Sequence, residues 1–170
     1  MKKKEISIAS AILIIGILFL IFGTPSYQSI RIKSADFIGF KDKLKEMVSR
    51  NNEVNIKELT DFDWDEGYVF TPYYPPQEIY NRVGTEWTTT KTYIGYILFH
   101  NTENQTVNDD EYVIVFKKDS KVVLAANYSL NELPVIFKLD DYKFLRNNSK
   151  FTVTAAKQYE EGKIKELTVK

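Results

Sequence analysis

The chain contains no cysteine, which rules out disulfides, thiolate metal sites, a cysteine nucleophile and lipidation at a cysteine. It holds a single histidine, His100, so neither a multi-histidine metal centre nor a His-Glu-x-x-His helix is present. Glycine is scarce at seven residues, and Gly16 and Gly23 fall in the apolar N-terminal stretch. That leaves no glycine-rich phosphate loop, and no Gly-x-Ser-x-Gly elbow occurs. An excess of basic charge is missing too, since formal net charge is zero. Residues 31–50 hold six Lys/Arg against three Asp/Glu, residues 51–111 three against twelve, and residues 112–170 eleven against seven. A net −2 over these segments argues against non-specific nucleic-acid binding, which needs a concentrated basic face. The acidic middle would meet either a cationic partner or the basic C-terminal part of its own domain, and the second is expected, since such charges usually form a solvated surface.

What the chain does have is an uncharged run from Ile6 to Gly23, preceded by Lys2, Lys3 and Lys4. As a helix, these 18 residues would span about 27 Å, near the ~30 Å thickness of a bilayer's hydrocarbon core. The run is longer than the apolar part of a cleaved secretory signal, and no Ala-x-Ala follows it. The nearest substitute, Thr24-Pro25-Ser26, is a poor cleavage signal. A core helix of a soluble protein would carry a polar face, and this stretch has none. The reading is therefore an uncleaved anchor that contacts membrane lipid. Residues 1–23 form a basic start and transmembrane helix, 24–33 a linker, and 34–170 an extracytoplasmic domain. Three lysines before the helix, with Arg31 the first basic residue after it, place the N-terminus in the cytoplasm. Abundant Lys, Ile and Asn with little Ala fits an AT-rich bacterial genome.

Beyond the anchor, Thr24-Pro25-Ser26 is expected to break the helix. Phe37, Phe40, Leu44, Met47 and Val48 recur at helical spacing, predicting a helix over 34–48 with Ser34 as cap. Val54 to Leu59 and Phe62 to Tyr73 read as strands. A short helix starts at Pro76 and ends at Gly84. Thr88 to His100, rich in β-branched and aromatic residues, reads as a strand. Glu111 to Lys117 and Lys121 to Ala126 form the clearest hairpin, turning at Lys118-Asp119-Ser120. Val135 to Leu139 is a strand or the start of a helix. Phe151 to Ala156 and Ile164 to Val169 make a second hairpin. The expected fold is α+β: the N-terminal transmembrane helix, then an antiparallel sheet of five or six strands with two or three helices packed on it.

The densest local pattern is Asp61-Phe62-Asp63-Trp64-Asp65-Glu66-Gly67. In a strand, alternation would put Asp61, Asp63 and Asp65 on one face and Phe62 and Trp64 on the other. Such a face is either a solvated acidic surface or a hard-cation site. The EF-hand pattern fails, because its sixth and twelfth positions hold Glu66 and Pro72. Tyr73 and Tyr74, beside Pro75 and Pro76, are candidates for an exposed aromatic patch that binds a peptide or glycan. His100, near Asp109, Asp110 and Glu111 in sequence, is the weakest metal candidate.

Trp64-Asp65-Glu66-Gly67-Tyr68-Val69-Phe70-Thr71-Pro72-Tyr73, followed by Glu78-Ile79 and Gly84-x-x-Trp87, resembles a pattern in small uncharacterised bacterial membrane-anchored or lipoprotein-like proteins. The hairpin from Tyr112 to Val123 fits the same pattern. The resemblance implies a shared fold and brings no catalytic residue with it; this chain lacks the lipidation cysteine of the lipoprotein members. Independently of it, Trp64, Tyr68, Phe70 and Trp87 are expected in the core.

The functional expectation is a non-enzymatic, membrane-tethered interaction module of the bacterial envelope, with an immunity or inhibitor role as one concrete form. Its partners would be membrane lipid and an envelope protein, without nucleic acid. No catalytic residue, metal ligand or cofactor is assigned. Two alternatives are an envelope hydrolase working through Asp63 or Asp65 with Glu66, and a calcium-stabilised adhesion or sensing domain.

Overall fold

A computed structural model describes residues 2–32, 36–99, 108–159 and 163–170. Ser34 and His100, and with them the cap and the metal candidate assigned to those two residues, lie outside this set.

The chain begins with helix α1 (Lys2–Ile30). Its side chains Ile8, Ile12, Leu13, Ile14, Ile17 and Ile21 are exposed. The stretch Ile8–Ile30 is long and apolar enough to cross a membrane, with a mean hydropathy of 2.4 over an 18-residue window. The helix does not break at Thr24-Pro25-Ser26: Pro25 lies inside it. Proline forfeits one helical hydrogen bond, yet the residues after it are held from outside the helix. The Tyr27 hydroxyl donates to the Thr90 carbonyl at 2.7 Å. Thr88 N donates to Ile30 O, and Ile32 N to Thr88 O, both at 3.0 Å, forming a parallel bridge at Arg31. Much of the expected linker is therefore a helical joint fastened to the domain.

Helix α2 (Phe37–Arg50) starts at Asp36, whose Oδ1 accepts the Gly39 N–H at 3.0 Å. Its buried stripe is Phe40, Leu44 and Val48, as the periodicity predicts. The predicted 54–59 strand divides into β1 (Glu53–Asn55) and α3 (Ile56–Leu59). The change of state follows from Ser149, whose carbonyl and hydroxyl accept the Ile56 and Lys57 N–H groups. Strand β2 (Glu66–Phe70) is the shortened core of the predicted 62–73 strand. Helix α4 (Pro76–Val83) opens with proline in its first turn and closes on Gly84 in the left-handed conformation at φ 76°.

The predicted strand at 88–100 is overturned. Tyr93–Phe99 is helix α5, and Thr92 caps it by accepting the Gly95 N–H at 3.0 Å. β-propensity reflects fit to a neighbouring strand, and among the described residues this segment has, apart from the bridge to Arg31, no strand beside it.

The remaining elements are β3 (Glu111–Lys118), β4 (Lys121–Ser129), β5 (Val135–Lys138), β6 (Lys143–Leu145), β7 (Lys150–Ala155) and β8 (Lys165–Val169). Both predicted hairpins form, β3 with β4 and β7 with β8. They belong to different sheets, however. The fold is α+β with two four-stranded sheets, ordered β4-β3-β2-β6 and β1-β7-β8-β5, rather than one sheet of five or six strands. Nor is it wholly antiparallel, since β5 pairs β8 in parallel.

Strand β3 explains the division. Tyr112, Ile114 and Phe116 enter one core, shared with α2, Trp64 and the second sheet. Val113 and Val115 enter another, shared with Tyr68, Phe70, Trp87 and α4. A strand buried on both faces reads as a continuous apolar run. The two sheets meet through aromatic rings: Phe144 of β6 packs against Phe137 at 6.0 Å and Phe151 at 5.3 Å. Gly67 makes room for the Phe144 ring, because a Cβ there would collide with it.

Candidate functional site: a charged rim and cleft at the start of β2

The hairpin turn after β3, the entry to β2 and the end of β6 bring opposite charges together. Asp63 pairs with Arg146, and with Lys118 at 3.0 Å. Asp65 takes Lys118 at 3.1 Å and the Asp119 backbone N–H at 2.8 Å. Glu66 receives Lys143 at 2.5 Å, the Tyr68 hydroxyl at 2.7 Å and Lys117 at 3.0 Å. Backbone bonds fix the frame: Asp65 N donates to Lys117 O, and Arg146 N to Asp65 O. The acidic middle of the chain thus meets cations from its basic C-terminal part.

Position along β2 sorts these groups. Glu66 shares a sheet face with Tyr68, over whose ring Lys143 lies at 5.7 Å from the centroid. Lys117 also donates to the Val83 carbonyl at 2.9 Å, where a cation complements the C-terminal end of α4. A shift in register between Phe116 and Lys117 accompanies this placement. Asp65, one residue away, instead lines a cleft of about 760 Å³ with Lys57, Glu58, Leu145, Arg146 and Asn147.

The electrostatics follow from the pairing. Burial pushes the Glu66 carboxyl up, but hydrogen bonds from Lys143, Tyr68 and Lys117 outweigh it and hold the pKa down at about 2. The Asp119 amide, then the Lys118 ammonium, keep Asp65 below its ordinary value. Burial, then the bond to Glu66, raises the Tyr68 phenol. At neutral pH these carboxylates are ionised acceptors with their partners in place.

The five candidate residues do not form one surface. Asp61 lies apart and pairs with Lys43 of α2 at 2.6 Å. Asp63 and Asp65 sit in the rim before β2. Tyr73 and Tyr74 lie past the other end of that strand. Tyr73 is exposed, in a left-handed conformation at φ 60°, and donates to Asp109 at 2.5 Å. Tyr74 packs against Phe70 and Tyr142, each at 5.0 Å between centroids. Among the described residues, no group of three or more acidic or histidine side chains is placed to share a metal ion. Trp64, Tyr68, Phe70 and Trp87 are buried as expected, with Trp64 in the inter-sheet core and the other three beside α4.

Lys117, Lys118, Lys143 and Arg146 are the members of the rim that sequence reasoning missed. Their signal was present only as the charge imbalance between the chain's middle and its C-terminal part. No family model, curated protein or solved structure matches this chain.

Proposed function

We propose that the protein is a non-enzymatic interaction module of the bacterial envelope, tethered to the membrane by α1 with its N-terminus in the cytoplasm. The observation that carries this reading is the exposed apolar surface of α1 from Ile8 to Phe19, on a helix long and apolar enough to cross a membrane. Lys2, Lys3 and Lys4 supply the charge bias that sets orientation. Tethering confines the domain to the envelope and raises its effective concentration near a membrane partner. The resemblance around Trp64–Tyr73 belongs with the same reading, since its apolar members Trp64, Tyr68, Val69 and Phe70 build the core. An immunity or inhibitor role is one concrete form of this reading, with another envelope protein as the partner.

The second reading, an envelope hydrolase, draws on the cleft beside Asp65. A general acid must hold its proton near working pH, whereas Glu66 and Asp65 are pushed the other way and face different sides of the strand. The interaction module is therefore the better reading.

Fusion of alkaline phosphatase and of green fluorescent protein to Lys170 tests the topology. Phosphatase activity without fluorescence is expected; a fluorescent, phosphatase-negative pair would reverse the orientation. Pull-down from detergent-solubilised membranes tests the role. Recovery of a stoichiometric envelope protein is expected, and turnover of a wall or lipid substrate by the purified chain would replace this reading with the hydrolase.

A further inference from the structure

We propose that α5 is a second membrane element that lies in lipid beside α1, so that the domain is held to the bilayer at two points. The inference rests on the anchor reading of α1 and extends it to a helix the anchor does not include.

None of the seven residues of α5 is buried. Ile94 and Leu98 are 69% and 67% exposed, matching Ile12 and Leu13 of the anchor at 66% and 65%. Phe99 and Ile97 follow at 57% and 47%. Among the described residues outside these two helices, only Ile38, Tyr73 and Leu145 are large apolar side chains with comparable exposure. The domain thus concentrates its uncovered apolar surface on α1 and α5. Soluble surfaces do not gather side chains of this size without a partner.

The position of α5 identifies that partner as lipid. Tyr93 opens the helix against Phe19, with ring centroids 5.4 Å apart, and its ring fills the space beside Gly23. Phe19 and Gly23 belong to the apolar run, so the medium that surrounds them also reaches α5. Tyr27 packs against Tyr93 and Tyr96, each at 5.8 Å. Tyr93 and Tyr96, half-buried on the buried Tyr27 ring at the end of an apolar span, match the aromatic belt at a membrane–water boundary, where ring and hydroxyl meet different media. No charge occurs from Thr92 to Phe99, and exposed Lys91 precedes the segment. The Thr92 cap satisfies a backbone donor at the start of the helix, as a lipid-facing segment requires. The aromatic contacts and the Arg31–Thr88 bridge couple the two helices, so the pair fixes the height and tilt of the domain. A single span would leave it free to turn about the α1 axis.

The absence of cysteine permits clean site-directed spin labelling of the full chain. Nitroxides would be placed at Leu98→Cys, at Ile94→Cys as a second α5 site, at Ile14→Cys as the anchor reference and at Lys121→Cys as the aqueous reference. The probe is the full chain in phosphatidylcholine–phosphatidylglycerol vesicles, read by collision with oxygen and with a water-soluble nickel chelate. The expected result is a several-fold higher oxygen-to-nickel ratio at Leu98 and Ile94 than at Lys121, on the same side as Ile14. Nickel-accessible labels on α5 with a lipid-buried Ile14 would overturn the second contact while leaving the anchor standing. Nickel access at Ile14 as well would remove both. Exclusion of both reagents at Leu98, with spin–spin broadening between chains, would show a second copy in place of lipid and overturn the proposal.

Discussion

At the residue scale, Glu66 and Gly67 show how tightly the entry to β2 is specified. Glu66 accepts from three donors, of which Lys117 is itself largely buried. Replacing Glu66 with Gln removes the charge that these donors were arranged around. A loss of about 2 kcal/mol is expected, read from urea unfolding at neutral pH. The pH dependence has a definite sign. The Glu66 carboxyl lies at about 2 in the fold against 4.5 for an ordinary glutamate, so its contribution is complete above about 4.5 and disappears as pH falls toward 2. Exposed Glu53, lowered by Lys150 and then Lys170, changes in the same direction. The urea midpoint should drop across this window in the parent chain, and the drop should be shallower in Glu66→Gln. Gly67 offers a second test. An alanine Cβ would overlap the Phe144 ring, so Gly67→Ala should cost about 2 kcal/mol by overpacking. At Gly16 nothing lies within 4 Å of an added Cβ, and Gly16→Ala should leave the domain's unfolding unchanged. The buried aromatics Trp64, Tyr68, Phe70 and Trp87 were legible from the sequence because large rings near turns of a small domain have few places to go. The cations around Glu66 were not, since Lys117 and Lys143 are far apart in the chain and meet only through β2 pairing.

At the element scale, local signals succeeded where an element carries its own periodicity and stops. Helix α2 shows its stripe in Phe40, Leu44 and Val48, and α4 shows proline at its start and glycine at its end. Asp36→Ala should remove the α2 cap and lower stability by about 1 kcal/mol, with the loss visible in the same urea titration. The two hairpins were also readable, because the arms of the first are apolar runs, those of the second alternate apolar with polar residues, and a polar stretch of sequence separates each pair. Local signals failed where a neighbour decides. The composition of Thr88 to Phe99 favours a strand, but among the described residues it pairs only through a single bridge to Arg31, and the Thr92 cap turns the rest into a helix. Pro25 should end α1 by its own chemistry, yet Tyr27 and the Arg31–Thr88 bridge carry the helix onward to Ile30. Strand β6 is three residues long and shows no alternation of its own; it exists because Gly67 opposite Phe144 admits it to the sheet.

At the scale of the whole molecule, the sheet count is set by the two-faced burial of β3. One face of that strand packs toward the second sheet and the other toward α4, so the strands cannot all join one layer. Which of two faces a continuous apolar run serves is invisible in periodicity, and this is why a single sheet was the natural expectation. The separation of Asp61, Asp63 and Asp65 from Tyr73 and Tyr74 has a similar origin: a strand of five residues stands between the rim and the tyrosine turn. The long apolar helix at the N-terminus, by contrast, was legible up to Gly23, since an uncharged run of bilayer length needs no tertiary information to be recognised; its continuation to Ile30 was not. The most direct test of the account is an alkaline carbonate wash of envelopes from cells expressing the chain with a C-terminal epitope. The account predicts that the uncleaved polypeptide, still carrying Met1 to Gly23, remains in the membrane pellet. Recovery in the supernatant of a chain shortened at its N-terminus, or of the whole chain in soluble form, would contradict it.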